Sequence, residues 1–283
     1  MPLPLTPTFR DRLTAATRPL AGMWVCSGSP LVAEICAGSG LDWLLIDMEH
    51  STNGLESVLA QLQAVAPYPI TPLVRVASDD PVRIKQVLDL GAQNLLVPMI
   101  GSADQARAAV EAIRYPPLGR RGVGSALSRS ARWNRVDGYL EHADGHVSLF
   151  LQVETDEGVE AARDIAAVDG VDGVFVGPSD LAASMGLLGQ QTHPAVTAAV
   201  LRAFDAVRAA GKPVGVNAFD PQAARRYLDA GADFVLVGAD VTLLARGSEA
   251  LAEQWAPPPS SSTDRTADPL APRADARGTD AIR

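Results

Sequence analysis

The stretch DWLLIDMEH, Asp42–His50, changes character halfway along its length. Its first half is an unbroken apolar run, which is typical of a strand buried on both faces of a parallel sheet. Its second half places two carboxylates and an imidazole directly after that strand. Because burying such groups without partners is costly, we expect them to meet solvent, one another, a metal or a substrate where the strand ends.

Seven further apolar runs have the length and the Val, Leu and Ile content of buried strands. With 43–47, the predicted strands are 20–26, 73–76, 94–98, 148–153, 173–177, 213–217 and 234–238. Segments with helical periodicity follow them at 30–39, 54–66, 81–90, 102–114, 155–168, 193–210, 220–230 and 240–254. This alternation predicts an α/β fold, a (β/α)8 TIM barrel, in preference to an open doubly wound sheet. A short N-terminal helix around 9–16 is expected to close the bottom of the barrel.

A weak internal repeat supports closure of the barrel. A glycine precedes the second, fourth, sixth and eighth strands by two or three residues, where the preceding helix is expected to end. The four copies are Gly40-Leu41-Asp42, Gly91-Ala92-Gln93, Gly170-Val171-Asp172 and Gly231-Ala232-Asp233. Helix-stopping glycines are common in α/β proteins, so the repeat also has an ordinary structural explanation.

Two segments fall outside the alternation of strands and helices. The segment 115–147 carries five arginines and is too long for a simple connection, which is typical of a lid, a binding loop or a subunit contact. Residues 256–283 are rich in Pro, Ser, Asp and Arg and contain no aromatic residue. Such a segment cannot bury enough apolar area to offset its ordering entropy. We therefore predict one barrel domain over 1–255 and a disordered C-terminal tail over 256–283.

The bulk composition excludes several classes of partner. The net charge of −9 argues against nucleic acid, because phosphate binding requires an excess of Lys and Arg. The beginning of the chain lacks the apolar core of a signal peptide, and no segment approaches the roughly 18 apolar residues of a membrane span. We expect no membrane partner and a cytoplasmic location. Cys26 and Cys36 lack a metal-type or redox-type spacing and are predicted to be reduced packing residues.

Polar residues follow several of the predicted strands. In a parallel barrel the loops after all strands share one face, so residues far apart in sequence can meet there. The residues in such positions are Asp47, Glu49, His50, Arg75, Gln152, Glu154, Ser179, Asp180 and Asn217. The carboxylates of Glu154 and Asp180 indicate a divalent-metal site that suits Mg²⁺, Mn²⁺ or Co²⁺ better than structural zinc. Both residues also stand where they could cap helices, and that alternative stays open.

His50 and Arg75 are the two candidate catalytic cations. His50 is the only histidine at a strand end beside carboxylates, and Asp47 three residues earlier could fix its tautomer and raise its basicity. This arrangement favours a general base, although a lone histidine more often has a structural role. Arg75 ends a strand of Val and Leu, so its guanidinium needs an anion, either a structural carboxylate or a substrate oxyanion.

Several longer motifs resemble one enzyme family. In chain order they are DxEH at 47–50, Arg75 followed by DPVRIKQ at 80–86, LLVPM at 95–99, RYPP at 114–117, RGVG at 121–124, QVET at 152–155 and GVFVGPSDL at 173–181. Together they resemble the 4-hydroxy-2-oxoheptanedioate aldolase (HpcH/HpaI) family of class II pyruvate aldolases. The resemblance covers about residues 20–255.

The resemblance implies a metal-dependent barrel lyase of aromatic or sugar-acid catabolism. Such an enzyme cleaves 4-hydroxy-2-oxo acids to pyruvate and an aldehyde and catalyses the reverse aldol addition. The resemblance also implies a hexamer in which neighbouring subunits exchange terminal helices. Glu154 and Asp180 match the residues that bind the metal, on which the 2-oxo acid is chelated.

The resemblance further assigns catalytic and substrate-binding roles. His50 matches the base, Asp47 and Asp89 match residues that tune it, and Arg75 matches the group that stabilises the pyruvate enolate. The residues that match substrate-contacting positions are Gln152, Ser179, Asp180 and Arg75.

The scarcity of lysine bears independently on the mechanism. A Schiff-base aldolase needs a lysine inside the barrel, but Lys85 falls on a predicted helix and Lys212 precedes the seventh strand. The metal-dependent route therefore remains. Two alternatives stay open: a related barrel lyase acting on an acyl-CoA or phosphoenolpyruvate-type substrate, and a non-catalytic barrel that binds 2-oxo acids.

Overall fold

The computed structural model describes residues 1–256, and its eight strands form a closed parallel barrel in chain order. The strands are β1 (Leu20–Val25), β2 (Trp43–Asp47), β3 (Thr71–Arg75), β4 (Asn94–Val97), β5 (Ser148–Val153), β6 (Gly173–Val176), β7 (Val214–Asn217) and β8 (Phe234–Ala239). Each strand pairs in parallel with the next, and β8 pairs with β1. The predicted (β/α)8 barrel is confirmed.

One helix precedes the first strand, helices connect the successive strands, and one further helix, almost wholly exposed, follows the last strand. Those within residues 1–256 are α1 (Phe9–Ala15), α2 (Pro30–Ala37), α3 (Leu55–Ala64), α4 (Pro81–Asp89), α5 (Ala103–Ile113), α6 (Asp156–Glu160), α7 (Ala162–Ala166), α8 (Pro178–Ser184), α9 (Pro194–Ala209), α10 (Pro221–Asp229) and α11 (Asp240–Trp255). The predicted helix 155–168 is interrupted at Ala161, three residues after Gly158, a weak helix former. Helix α8 was not predicted, because seven residues carry too little periodicity.

The glycine repeat has a structural function at the amino ends of the strands. All four glycines have φ between +88° and +96°, the left-handed region in which glycine ends a helix without strain. Three copies place an aspartate two residues later, and its side chain accepts a backbone N–H from the preceding strand. These bonds join Asp42 to Ala21 (2.9 Å), Asp172 to Leu149 (2.8 Å) and Asp233 to Val214 (2.8 Å). The repeat therefore ties neighbouring strands together in pairs.

The amino-terminal half of the barrel interior is filled by five aromatic rings, which we call the aromatic plug. Its members are Phe9, Trp43, Phe150, Phe175 and Phe234. The rings meet mostly edge to face, with centroids 5.2–6.4 Å apart. Three of them lie opposite a glycine on the neighbouring strand, and a Cβ on Gly215 would stand 2.2 Å from the Phe234 ring. Because fully buried Phe9 belongs to α1, the expectation that this helix closes the barrel is confirmed.

The contacts divide the chain into two units, Met1–Leu244 and Ala245–Arg283. The first unit contains the barrel, including the segment 115–147, which forms turns and one short 3-10 helix (Ala143–His146). In the second unit the described residues are helical up to Trp255. The predicted domain boundary at 255 stays a prediction, and the predicted tail lies outside the described residues apart from its first residue. Among helices of residues 1–256, none has the length and apolar character that crossing a membrane requires.

Candidate active site

Most of the predicted site residues lie where β2, β3, β5 and β6 end. Asp47 and Arg75 are the last residues of their strands, Glu154 directly follows β5, and Asp180 lies in the first turn of α8. Parallel strands carry all of these ends to one face of the barrel. We call this group the polar rim, and its members are Asp47, Glu49, His50, Arg75, Gln152, Glu154, Ser179 and Asp180.

Arg75 and Asp47 form a buried bidentate ion pair at the centre of the polar rim. The two residues are register partners on neighbouring strands and are 4% and 1% exposed. Arg75 Nε and Nη2 donate to the two Asp47 carboxylate oxygens at 2.7 and 2.8 Å. The guanidinium also lies 4.2 Å from the ring centroid of Trp24. This fork geometry fixes the plane of the guanidinium.

Asp47 also fixes the turn that carries His50. Its carboxylate accepts the backbone N–H groups of Glu49 (3.0 Å) and His50 (3.2 Å). The nearest carboxylate to the His50 ring is that of Glu49, whose Oε2 lies 3.9 Å from Nε2, because Asp47 is directed towards Arg75. The imidazole side chain is 66% exposed, so it faces solvent and any molecule that enters the rim.

Glu49 connects the histidine to the arginine. Its Oε2 lies 2.7 Å from Arg75 Nη1, and its side chain is only 15% exposed. Burial raises the pKa of Glu49 above its usual value, and the charges of Arg75 and His50 oppose that rise. The nearby carboxylates of Asp47 and Asp180 raise the Glu49 pKa further.

Glu154 is the most perturbed carboxylate of the polar rim. Burial raises the pKa of Glu154 to about 7, and the neighbouring negative charges of Glu49 and Asp180 add to the rise. Two hydrogen bonds oppose it: the backbone N–H of Met99 donates to Oε1 at 2.7 Å, and Gln152 Nε2 donates to Oε2. Glu154 and Asp180 therefore lie at the same end of the barrel, where each charge acts on its surroundings, and their role as metal ligands stays a prediction.

The donor set around Glu154 fits a cation. Within residues 1–256 the buried Gln152 Oε1 has no hydrogen-bond partner, so an oxygen acceptor is free beside the carboxylate. A Cβ on Gly177 would stand 2.8 Å from Glu154 Oε2, so glycine keeps this space open. Residues 1–256 contain no cluster of three or more His, Cys, Asp or Glu side chains that could hold a metal ion by themselves. Two carboxylates with open positions for water and substrate suit Mg²⁺-like ions.

A cavity of 300 Å³ opens beside the polar rim. Ser179 lines it together with Asn217, the last residue of β7, and with Phe219. Asn217 Oδ1 accepts a hydrogen bond from Trp24 Nε1 at 3.0 Å, which links this cavity to the tryptophan that contacts Arg75. The cavity gives a bound molecule room to extend from the polar rim.

Asp89 is not brought to the polar rim. It is the last residue of α4, the helix that leads to the amino end of β4. Its Oδ1 lies 3.7 Å from Nη2 of the buried Arg121 and has no hydrogen-bond partner within the described residues. Burial raises the pKa of Asp89, and the charges of Arg121 and Lys85 lower it. Within one chain Asp89 therefore does not contact His50.

Three contributors to the site escaped the sequence analysis: Trp24, Met99 and Gly177. Met99 has φ of +58°, which is uncommon for a non-glycine residue and directs its N–H at Glu154. No sequence pattern predicts a left-handed methionine, and Trp24 looks like an ordinary strand residue. Gly177 could have been suspected, since it stands between a strand and the helix-starting Pro178.

Neither lysine is available for Schiff-base chemistry. Lys85 lies on α4, outside the barrel. Lys212 precedes β7, and its Nζ donates to the carbonyl of Val171 at 2.6 Å. The expectation from the sequence that no lysine projects into the barrel is confirmed. Cys26 and Cys36 are both free thiols, also as expected.

A closed (β/α)8 barrel with carboxylates, an arginine and an imidazole where its strands end has the architecture of a barrel enzyme. The chain belongs to the HpcH/HpaI aldolase/citrate lyase family, whose model matches residues 20–247. It is accordingly an aldolase, a carbon–carbon lyase.

Individual relatives and solved structures are similar to the chain over most of its length. The chain is 53% identical over 247 residues to the 4-hydroxy-2-oxo-heptane-1,7-dioate aldolase of Salmonella arizonae, covering 87% of this chain and 94% of the relative. A crystal structure of an HpcH/HpaI aldolase/citrate lyase family protein from Burkholderia cenocepacia matches with a TM-score of 0.84 and 41% identity, over 88% and 99% of the two chains. The citrate synthase SbnG matches with a TM-score of 0.77 and 29% identity, over 87% and 97%.

Proposed function

We propose that this enzyme cleaves 4-hydroxy-2-oxo acids to pyruvate and an aldehyde, and catalyses the reverse aldol addition, with a divalent metal. The observation that carries the proposal is that Glu154 and Asp180 lie at the same barrel end as His50 and Arg75, where the charge of Asp180 raises the pKa of Glu154. The name of the 53% identical relative, an aldolase of a 4-hydroxy-2-oxo dicarboxylate, supports this substrate class.

Glu154 and Asp180 would hold the metal, and the unpartnered Gln152 Oε1 lies beside them. A divalent cation there, Mg²⁺, Mn²⁺ or Co²⁺, would polarise the oxygens of a 2-oxo acid and stabilise the negative charge that develops on it. Oxygen donors favour these ions over the sulfur- and nitrogen-bound metals. The buried Glu154 carboxylate, whose pKa is raised by burial and by its neighbours, would gain the counter-charge that it lacks.

His50 would carry the proton in this reaction. In the cleavage direction the C4 hydroxyl loses its proton, the C3–C4 bond breaks, and the electron pair passes to the enolate of pyruvate while the aldehyde leaves. The enolate then takes a proton at C3. An exposed imidazole on a turn fixed by Asp47 can accept and return these protons, and the Glu49 carboxylate lies 3.9 Å from its Nε2.

Arg75 would stabilise the enolate oxygen. A guanidinium has five N–H donors, and two of them donate to Asp47. Nη1 lies 2.7 Å from Glu49 Oε2 in an ion pair, so donors remain for a substrate oxyanion, and Trp24 restricts the guanidinium to one plane. Asp47 thus acts by orienting both Arg75 and the His50 turn. The substrate would also contact Gln152 and Ser179, next to the cavity beside the polar rim, which would receive the aldehyde portion.

Asp89 would act in the site of a neighbouring subunit, which makes the enzyme a homo-oligomer, a hexamer by family resemblance. The support is its unpartnered Oδ1 and the exposed apolar side chains of the same region, Leu127 at 86% and Trp133 at 51%. Light scattering coupled to gel filtration tests the assembly. A monomer at working concentrations would exclude this role for Asp89.

The experiment that tests the function is a coupled assay of pyruvate release, with lactate dehydrogenase and NADH, over a panel of 4-hydroxy-2-oxo acids. Acyl-CoA and phosphoenolpyruvate-type substrates are included to separate the related lyase reaction. We expect release of pyruvate from the hydroxy-oxo acids, its loss after dialysis against a chelator, and its recovery with Mg²⁺, Mn²⁺ or Co²⁺. Full activity after complete metal removal would overturn the metal-dependent reaction.

A further inference from the structure

A second cavity, of 110 Å³, lies at the end of the barrel opposite the polar rim. It is bordered by the first residues of β3 and β4, by the ends of α3 and α4, and by parts of the segments 1–12 and 115–147. Three of its lining side chains are arginines, Arg12, Arg129 and Arg132, and none is an aspartate or a glutamate. We call it the arginine cavity.

The positive charges of the arginine cavity lack counter-charges. Within residues 1–256, none of its three arginines forms an ion pair with a carboxylate. Arg129 and Arg132 are half-buried, and burial together with the charge of Arg132 lowers the pKa of Arg129 to about 10. Two neighbouring cations held partly out of water without an anion are unfavourable.

Capping of a helix explains only part of this arrangement. Arg129 Nη1 donates to the carbonyl of Leu90 at the end of α4 (3.0 Å), and Arg132 Nη1 donates to the carbonyl of Arg129 (2.6 Å). Each bond uses one of the five N–H donors of a guanidinium, so most donors of both side chains remain available to a ligand. Both Nη1 atoms lie 2.8 Å from where a Cβ on Gly91 would stand, so the two guanidiniums converge on one point.

The backbone that presents these arginines is strained. Arg132, Trp133 and Asn134 are three successive non-glycine residues in the left-handed region, with φ of 49°, 56° and 61°. Such conformations are uncommon, and they concentrate at functional sites and ligand clamps. Arg132 is the first residue of this left-handed turn, and it lines the same cavity as Arg129.

We propose that the arginine cavity binds a small oxyanion, of the size of phosphate, between the guanidiniums of Arg129 and Arg132. The guanidinium fork matches the oxygens of phosphate and carboxylate. The cavity volume of 110 Å³ is several times the roughly 30 Å³ that one water occupies, so it admits an anion of this size. The neutral groups Gln93 and Asn94 already donate to the carbonyls of Thr6 and Pro72, so the arginines supply the contacts.

Calorimetric titration of the full chain with inorganic phosphate tests the site. We expect saturable binding to the wild type, at least tenfold weaker binding to the double variant Arg129→Gln/Arg132→Gln, and binding within twofold of wild type for Arg107→Gln. Arg107 is a matched control because it is exposed on α5 and pairs with Asp104. Equal binding to the wild type and the double variant, or none to the wild type, would overturn the proposal. Phosphate bound at the polar rim instead would give equal binding to the wild type and the double variant.

A second measurement needs no variant and so does not depend on its folding. Wild-type crystals grown with selenate should show an anomalous peak within hydrogen-bonding distance of Arg129 and Arg132. An empty cavity, or a carboxylate from another chain in that position, would overturn the proposal. Neither experiment uses catalytic activity, so the outcome is independent of the proposed aldolase reaction.

Discussion

The two ends of the barrel interior are built on opposite principles. The aromatic plug consists of apolar rings that face glycines and one another, with no charge to satisfy. The polar rim buries the Arg75–Asp47 pair, a Glu154 carboxylate whose pKa is raised to about 7, and an unpartnered Gln152 oxygen. Burial of apolar area stabilises the fold, whereas burial of charge opposes it. The difference supports our proposal that one end maintains the structure and the other performs the chemistry.

The largest effect is expected at the polar rim, from Glu154→Gln. The change keeps the shape but removes a proposed metal ligand, so turnover should fall by about a thousandfold or more. The melting temperature should stay equal or rise, because a buried negative charge near two others is removed. Pyruvate release and thermal unfolding measure the two effects, with exposed Glu157→Gln as the control. Turnover within tenfold of wild type would contradict the role of Glu154.

His50→Ala should lower turnover by about a hundredfold to a thousandfold, the usual contribution of a general base. Pyruvate binding should change by less than about threefold, because the exposed ring adds little to the pocket walls. Steady-state kinetics and calorimetry separate the two quantities. His142→Ala, at an exposed position of the segment 115–147, is the matched control. Unchanged turnover would remove His50 from the mechanism.

Phe234→Ala tests the opposite end of the comparison. The ring is 1% exposed and contacts four other plug residues, so its loss should lower the free energy of unfolding by about 3–5 kcal/mol. The kcat of the folded fraction should stay within about twofold, since the plug lies away from the polar rim. Denaturant unfolding and kinetics well below the melting temperature supply both numbers. A large loss of kcat without loss of stability would break the proposed division of roles.

Trp24→Phe should have the smallest effect, because it is the most conservative change. Trp24 packs in the same core cluster as the aromatic plug and also contacts Arg75 of the polar rim. Phenylalanine keeps an aromatic face over Arg75 but loses the 3.0 Å hydrogen bond to Asn217. We expect a loss of about 0.5–1.5 kcal/mol in unfolding free energy and a decrease in kcat/KM of less than about tenfold. Thermal melts and kinetics at saturating metal measure these changes. A decrease as large as that of His50→Ala would give Trp24 a direct role in the chemistry.

The sequence predicted the strands and helix ends of the barrel better than it predicted the side-chain contacts of the polar rim. Strand positions follow from apolar runs such as 43–47, and the glycine repeat marks helix ends, because both depend on residues close in sequence. The contacts of the rim depend on tertiary geometry. Glu49, and not Asp47, is the carboxylate nearest the His50 ring, because a pairing across two strands draws Asp47 to Arg75.

The same reasoning applies to the groups that the sequence did not reveal. Met99 adopts a left-handed backbone that its residue type does not favour, and only its contact with Glu154 shows why. In the sequence Arg129 and Arg132 are two of five arginines in a long loop. Only the structure shows that both guanidiniums lie against Gly91. Residue type and spacing therefore predicted the candidate metal ligands, but not the groups that orient them.

Titration with Mn²⁺, followed by electron paramagnetic resonance, tests the central claim most directly: that Glu154 and Asp180 hold one ion together. We predict one tightly bound Mn²⁺ per chain in the wild type and, because two carboxylates are lost, binding at least about a hundredfold weaker in Glu154→Gln/Asp180→Asn. Glu157→Gln should bind like the wild type. Equal stoichiometry and affinity in the double variant would contradict the account.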